Sequence, residues 1–168
     1  IHYCWFGPKE IPEMERKCIE TWKEKMPDYK IMFWNEETFD VNSVTFTKQA
    51  YEHGKFAFVS DYVRVYVLYH YGGIYMDTDV EVKQPFSNEI LDNDSFWGFE
   101  EKNYIATSTI GTKKGNKLIK RFLDSYDGKK FIKEDGQIDN LTNVVIASNI
   151  IEGIGIRLDG TYQRIDGI

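Results

Sequence analysis

The sequence predicts an α/β fold, on three observations. Residues 1–34 read as strand, helix, strand; a long apolar helix at residues 56–71 runs through a glycine pair into another buried strand; and 168 residues suffice for one core but hardly for two.

Residues 1–6 (IHYCWF) form a short apolar and aromatic run closed by Gly7-Pro8, the pattern of a buried strand ending in a turn. Over residues 12–26, Met14, Cys18, Ile19, Trp22 and Met26 recur at helical spacing with charges between them, and Pro27-Asp28 ends the helix. Residues 29–34 (YKIMFW) read as a second strand, and residues 35–54 as loop with short helices. The stretch 56–71 is rich in Val, Tyr and Leu and long enough for a largely buried helix, which Gly72-Gly73 stops. Ile74, Tyr75 and Met76 make a short buried strand that empties into Asp77-Thr78-Asp79, after which residues 80–82 resume an extended pattern. Strands are expected at residues 95–100 and 104–112, and helices at 116–126 and 140–151. No repeat, low-complexity tract or linker interrupts the chain.

Composition narrows the function classes. A hydrophobic fraction of 42% with 29% charged residues is ordinary for a globular domain, and the 15% aromatic content suits core packing or stacking on flat rings. With 21 basic against 27 acidic side chains, a formal charge of −6 and no Lys/Arg stripe, nucleic acid is not an expected partner. Cys4 and Cys18 lack metal-ligand spacing and read as two buried free thiols in a reducing cytosol, ahead of a disulfide between them. No apolar run approaches the roughly 20 residues of a membrane span, and no basic-then-apolar leader opens the chain. The start at Ile1, already strand-like and without an initiator Met, reads as a trimmed chain.

The acidic pair carries the chemistry. In open α/β sheets ligands gather beyond the carboxyl ends of strands, which is where Asp77 and Asp79 are expected. Two carboxylates one residue apart in a low-dielectric pocket repel unless a cation lies between them. Mn²⁺ or Mg²⁺, which favours oxygen ligands and keeps positions open for substrate phosphates, is the natural occupant. An acidic turn alone is common; this one follows an apolar strand and a glycine break, unlike an ordinary surface turn. Asp61 and Arg64 fall on one face of the preceding helix, either as a surface ion pair or as a working pair. Their neighbours Phe58, Val59, Tyr62, Val63, Val65 and Val67 favour the second reading, because charges in such a helix are costly unless paired or used. Asp61 would then accept hydrogen bonds from sugar or ribose hydroxyls, and Arg64 would donate to phosphate or sugar oxygens. Trp5, at the end of the first strand, could cover a nucleobase or simply pack in the core. His2, His53 and His70 show no ligand spacing and read as structural or surface residues, and no phosphate-binding glycine fingerprint or nucleophile elbow is present.

The string KFAFVSDYVRVYVLYHYGGIYMDTD, residues 55–79, together with the opening IHYCWFG and Lys9-Glu10-Ile11-Pro12, closely resembles the DXD sugar-transferase group, glycosyltransferase family 32. That group includes bacterial capsular-polysaccharide enzymes and fungal mannosyltransferases, and is related to the glucosylating domain of clostridial toxins. The resemblance covers roughly the first half of the chain. It implies a single GT-A domain over residues 1–168 with a Rossmann-like, mostly parallel sheet, lacking the segment that closes over the donor in family members. It also implies a cytoplasmic enzyme, at most peripheral at the inner face of the membrane. The activity it implies is retaining, metal-dependent transfer of a sugar from a nucleotide-diphosphate donor, a UDP-sugar ahead of GDP-mannose. The acceptor would be a glycan or lipid-linked glycan in surface-polysaccharide synthesis.

Carried over by position, Trp5 would stack on the base, Ser60 would lie near the nucleoside, and Asp61 and Arg64 would hold the donor sugar and its phosphate side. Tyr75 would line the diphosphate, Asp77 would touch ribose or sugar and steady a metal-bound water, and Asp79 would ligate the metal directly. Two alternatives stand beside this reading. One is a haloacid-dehalogenase-like phosphohydrolase, in which the first Asp after an apolar strand is the nucleophile but residues 60–64 have no task. The other is a domain that binds a nucleotide sugar without turning it over.

Overall fold

The computed structural model describes residues 1–101 and 103–165. Its element order is β1 (His2–Cys4), α1 (Glu13–Lys25), β2 (Met32–Trp34), α2 (Thr45–Glu52), α3 (Phe56–Tyr71), β3 (Gly73–Met76), α4 (Asn88–Leu91), β4 (Ser95–Glu101), β5 (Tyr104–Thr112), α5 (Lys117–Asp124) and α6 (Asn143–Glu152). The strands form one sheet in the order β2-β1-β3-β5-β4. β1 is parallel to both β2 and β3, while β5 is antiparallel to β3 and β4, so β5 alone opposes the common direction. The fold is α/β with a mostly parallel sheet flanked by helices, the GT-A arrangement the resemblance implied.

Side-chain alternation along β3 divides the core. Ile74 and Met76 join Ile1, Ile19, Trp22, Met26 and Val82 on the face covered by α1. Tyr75 points the other way, into a larger cluster with Cys4, Trp34, the Val residues of α3 and the apolar faces of α5 and α6. α3 is central because it is apolar almost all round, as its sequence indicates: Val59, Tyr62, Val63, Val65, Val67 and Leu68 are all buried. It ends at Gly72, whose φ of 69° suits glycine and where an added Cβ would lie 2.5 Å from the Lys114 backbone nitrogen.

Residues 80–82, read as extended, pair with no strand: Val80 offers its carbonyl to Trp22 Nε1 at 2.7 Å and Val82 donates its N–H to Thr21 Oγ1 at 2.9 Å, so side chains of α1 take the place of a β partner. The single turn α4 was not foreseen, since four residues carry no periodicity to read. His2 resolves as structural. It is 3% exposed, and because the Trp34 indole can only donate to Nδ1 (3.1 Å), Nε2 carries the proton that meets the Gly72 carbonyl at 2.9 Å. Burial holds its pKa down to about 4. Cys4 and Cys18 are free thiols, as expected, but only Cys4 is buried; Cys18, on α1, is partly exposed.

Candidate active site

Because β1 and β3 are parallel neighbours, the residues just past their carboxyl ends share one edge of the sheet. Trp5 follows β1 and Asp77 follows β3, and between them opens a cleft of about 570 Å³. Trp5, Ser60, Arg64, Tyr75, Asp77 and Asp79 all line it. Trp5 is half-buried at the cleft, its indole N–H donating to the Lys9 carbonyl at 2.6 Å. A second, largely apolar cavity of about 360 Å³ lies elsewhere, between β4, α6 and residues 160–165, and holds none of these groups.

Arg64 organises the site. It is 6% exposed, and its guanidinium donates to the Thr107 carbonyl at 2.6 Å and to Thr107 Oγ1 at 3.2 Å. Nη2 lies 3.1 Å from Asp61 Oδ1 and 3.1 Å from Asp77 Oδ1, and Nη1 is 3.4 Å from Asp77 Oδ2. The planar fork rests over the Tyr75 ring at 4.7 Å, and its Nε is buried with no hydrogen-bond partner. Asp61 and Arg64 are therefore a buried pair and not a surface one. Asp61 itself is not part of the cleft wall; it sits one ion pair behind it.

A sheet irregularity provides the acceptors. On β4, Trp97 pairs with Ile110 but the next residue, Gly98, pairs with Ala106, so residues 107–109 have no β4 partner at that point. Ser108 gives its carbonyl to the Asp77 N–H at 2.8 Å, beside the Thr107 carbonyl that receives Arg64. Bulges redirect backbone groups in this way beside functional sites.

The carboxylates are not alike. Asp77 Oδ1 accepts from the Tyr75 hydroxyl at 2.8 Å and faces Arg64, and Oδ2 faces Arg64 as well, so both oxygens are engaged. Asp79 is exposed at the cleft. Burial pushes the Asp77 carboxyl above the usual carboxylate range; Arg64 and the Tyr75 hydroxyl pull against that, and the charge of Asp79 adds to it. Asp61 is pushed up chiefly by burial and also by Asp77, against Arg64 and Lys129. Burial holds the Tyr75 phenol protonated, so it remains the donor to Asp77.

Two carboxylates, Asp61 and Asp77, share one guanidinium, and Asp79 and Glu15 add further acidic oxygens to the cleft. Among the described residues no three His, Cys, Asp or Glu side chains converge on one point. Oxygen donors of this kind suit a hard divalent cation, which Asp79 would hold at the cleft.

The family model for the glycosyltransferase sugar-binding region containing the DXD motif matches residues 12–97, just over half of the 168-residue chain. The chain belongs to this family. As a glycosyltransferase it is 24% identical over 166 residues to the subversion of eukaryotic traffic protein A of Legionella pneumophila, covering 80% of this chain and 26% of that protein. It is 31% identical over 96 residues to inositol phosphoceramide mannosyltransferase 1 of Schizosaccharomyces pombe, covering 51% of this chain and 28% of that protein. The chain thus spans little more than a quarter of the length of these two curated relatives. Among solved structures, the PaToxG glycosyltransferase superposes with a TM-score of 0.67 at 20% identity, over 92% of this chain and 67% of that one, which establishes the shared fold. Family membership sets the phosphohydrolase alternative aside.

Several residues at the site escape sequence reading. Thr107 and Ser108 act mainly through backbone carbonyls, which no side-chain pattern reports. Glu15 was also missed although its spacing carried a signal: it falls in the helical stripe of Ile19 and Trp22 on α1, and it lines the cleft with Oε2 buried and without a hydrogen-bond partner.

Proposed function

We propose that this glycosyltransferase moves a sugar from a nucleotide-diphosphate donor, a UDP-sugar in preference to GDP-mannose, to a glycan or lipid-linked glycan acceptor, with retention of anomeric configuration. The observation that carries the reading is the buried Arg64 fork, which links Asp61, Asp77 and the β5 bulge at the cleft shared with Trp5, Ser60 and Asp79. The resemblance to glycosyltransferase family 32 supports a role in surface-polysaccharide synthesis on the cytoplasmic side of a membrane. No helix among the described residues is long and apolar enough to cross one.

In this reading the exposed face of Trp5 stacks on the base and Ser60 bonds the nucleoside. Asp61 holds Arg64 so that the guanidinium meets the phosphate side of the donor, where negative charge grows as the nucleoside diphosphate leaves. Tyr75 keeps Asp77 in one orientation through its 2.8 Å hydrogen bond, and Asp77 receives a donor hydroxyl or a bound water. A divalent cation, Mn²⁺ or Mg²⁺ held by Asp79, supplies Lewis-acid stabilisation of the leaving diphosphate when bound. No side chain in the cleft stands out as a nucleophile, so transfer proceeds on the front face, with a leaving-group phosphate oxygen taking the acceptor proton.

The test is hydrolysis of UDP-sugars and GDP-mannose with and without Mn²⁺, alongside calorimetry. Asp79→Ala should abolish the metal-dependent turnover while leaving the fold intact by circular dichroism. Full activity in that variant would overturn the assignment, and binding without turnover by the unmodified protein would make this a sugar-nucleotide-binding domain.

A further inference from the structure

Glu15 sits in the first turn of α1 and lines the same cleft as Trp5, Lys9 and Asp79. Its Oε2 is shut off from solvent and meets no hydrogen-bond donor among the described residues. Leaving a buried acceptor unpaired is costly, so a carboxylate oxygen in this state on a cleft wall points to a donor that arrives with the ligand.

Topology sets where on that wall Glu15 stands. β1, β2 and β3 run parallel, so α1, which returns the chain from β1 to β2, begins at the edge of the sheet where β1 and β3 end. On one side, the turn that carries Trp5 leads into α1 and is closed by the indole hydrogen bond to the Lys9 carbonyl. On the other, α1 is fastened to the chain that follows Asp79: the Trp22 indole donates to the Val80 carbonyl at 2.7 Å, and Thr21 Oγ1 accepts from the Val82 N–H at 2.9 Å. Glu15, Ile19 and Trp22 fall at i, i+4 and i+7 on one stripe of the helix, and Ile19 and Trp22 pack with Ile74, Met76 and Val82. The same stripe, followed back to the first turn, brings Glu15 between the Trp5 turn and the acidic turn after β3. A helix N-terminus carries partial positive charge that already favours an ionised acid, so this carboxylate lacks hydrogen-bond donors more than a counter-charge. With a base on Trp5 and a diphosphate at Asp79, the part of a nucleotide that passes Glu15 is the ribose. Its adjacent 2′- and 3′-hydroxyls match the two oxygens of a carboxylate.

We propose that Glu15 is a donor-binding residue, accepting hydrogen bonds from the ribose 2′- and 3′-hydroxyls of the nucleotide. This inference rests on the reading of the cleft as a nucleotide-sugar site, and a comparison of ribo- and dideoxynucleotides separates the two. Calorimetry with Mn²⁺ measures whichever of UDP and GDP binds the unmodified protein more tightly, and then the 2′,3′-dideoxy form of that nucleotide. Glu15→Ala should weaken the ribonucleotide about tenfold and leave the dideoxy form nearly unchanged, because hydrogen bonds to a charged acceptor are lost only where the hydroxyls are present. Glu15→Gln, which keeps the side-chain length and one acceptor oxygen, should recover part of the loss, and it carries the comparison should Glu15→Ala not fold. An equal loss for both nucleotides, or none for either, reduces Glu15 to a helix-stabilising charge and overturns the proposal while the cleft reading stands. Weaker Mn²⁺ binding by Glu15→Ala in the absence of nucleotide, read by electron paramagnetic resonance, would make Glu15 a ligand of the cation and overturn it as well. If neither UDP nor GDP binds the unmodified protein, the cleft reading falls and takes the proposal with it.

Discussion

Replacing Arg64 by Met tests the core of the argument most directly. The guanidinium makes two contacts to Thr107, one to Asp61 and two to Asp77 at 2.6–3.4 Å, all from a side chain 7% exposed. Methionine fills most of the volume but leaves two largely buried carboxylates and the Thr107 carbonyl without their cation. Removing one partner of a buried ion pair costs about 3–5 kcal/mol, because the charge left behind stays desolvated. For a domain of this size each kcal/mol moves Tm by about 2–4 °C, so a fall of roughly 10 °C is expected at pH 7.5. The sign of the pH dependence adds a second check. Burial already raises both Asp61 and Asp77 above their usual values, and loss of Arg64 raises them further, so the folded variant takes up protons more readily than its unfolded chain. The stability gap between variant and unmodified protein should therefore narrow as the pH is lowered from 7.5 towards 5. Differential scanning fluorimetry across that range measures both effects. A Tm within about 2 °C of the unmodified protein, or a gap that widens in acid, would show the guanidinium to be solvated and the buried network to be wrong.

Other perturbations probe separate parts of the molecule. His2 has a folded pKa near 4 against an ordinary value of 6.5, so its neutral form is favoured in the native state; stability is full above pH 6.5 and falls by about 3 kcal/mol as the pH drops towards 4. Urea titrations at pH 7 and 4.5 should show a smaller acid loss in His2→Gln than in the unmodified protein. Tyr75→Phe removes one hydrogen bond to Asp77 and should cost about 1–2 kcal/mol in stability and roughly tenfold in donor turnover, read by thermal melting and steady-state hydrolysis. Gly72→Ala forces a Cβ against the Lys114 backbone at a φ of 69° and should destabilise the fold by more than about 1 kcal/mol without altering the KM of what remains folded, as checked by urea midpoint and kinetics.

Long elements with strong patterns were readable from the sequence: residues 56–71 were expected to form a helix, and α3 spans Phe56–Tyr71. The strand entering Asp77 was equally legible, because an apolar run between a glycine pair and an acidic turn has few other solutions. For residues 80–82 only an extended pattern could be read, because an extended run packed on α1 and a paired strand look alike locally; only the positions of Trp22 and Thr21 distinguish them. At the site, the helical spacing of Asp61 and Arg64 was visible, but their burial depends on α3 packing against β1, β5 and α5. Local pattern could not rank the two aspartates, which only the family resemblance did; the engagement of Asp77 comes from Arg64 and Tyr75 in three dimensions.

By itself, then, the sequence determined the α/β class, the central apolar helix, the acidic turn at a strand end and the family resemblance, since each rests on local periodicity or on contiguous residues. Tertiary structure alone decided that Asp77 is engaged by Arg64 while Asp79 is exposed, and that a β5 bulge turns two carbonyls towards Arg64 and Asp77. Those contacts join groups 13 to 43 positions apart in the chain, and pairwise electrostatics depends on distance in space, which no local pattern encodes.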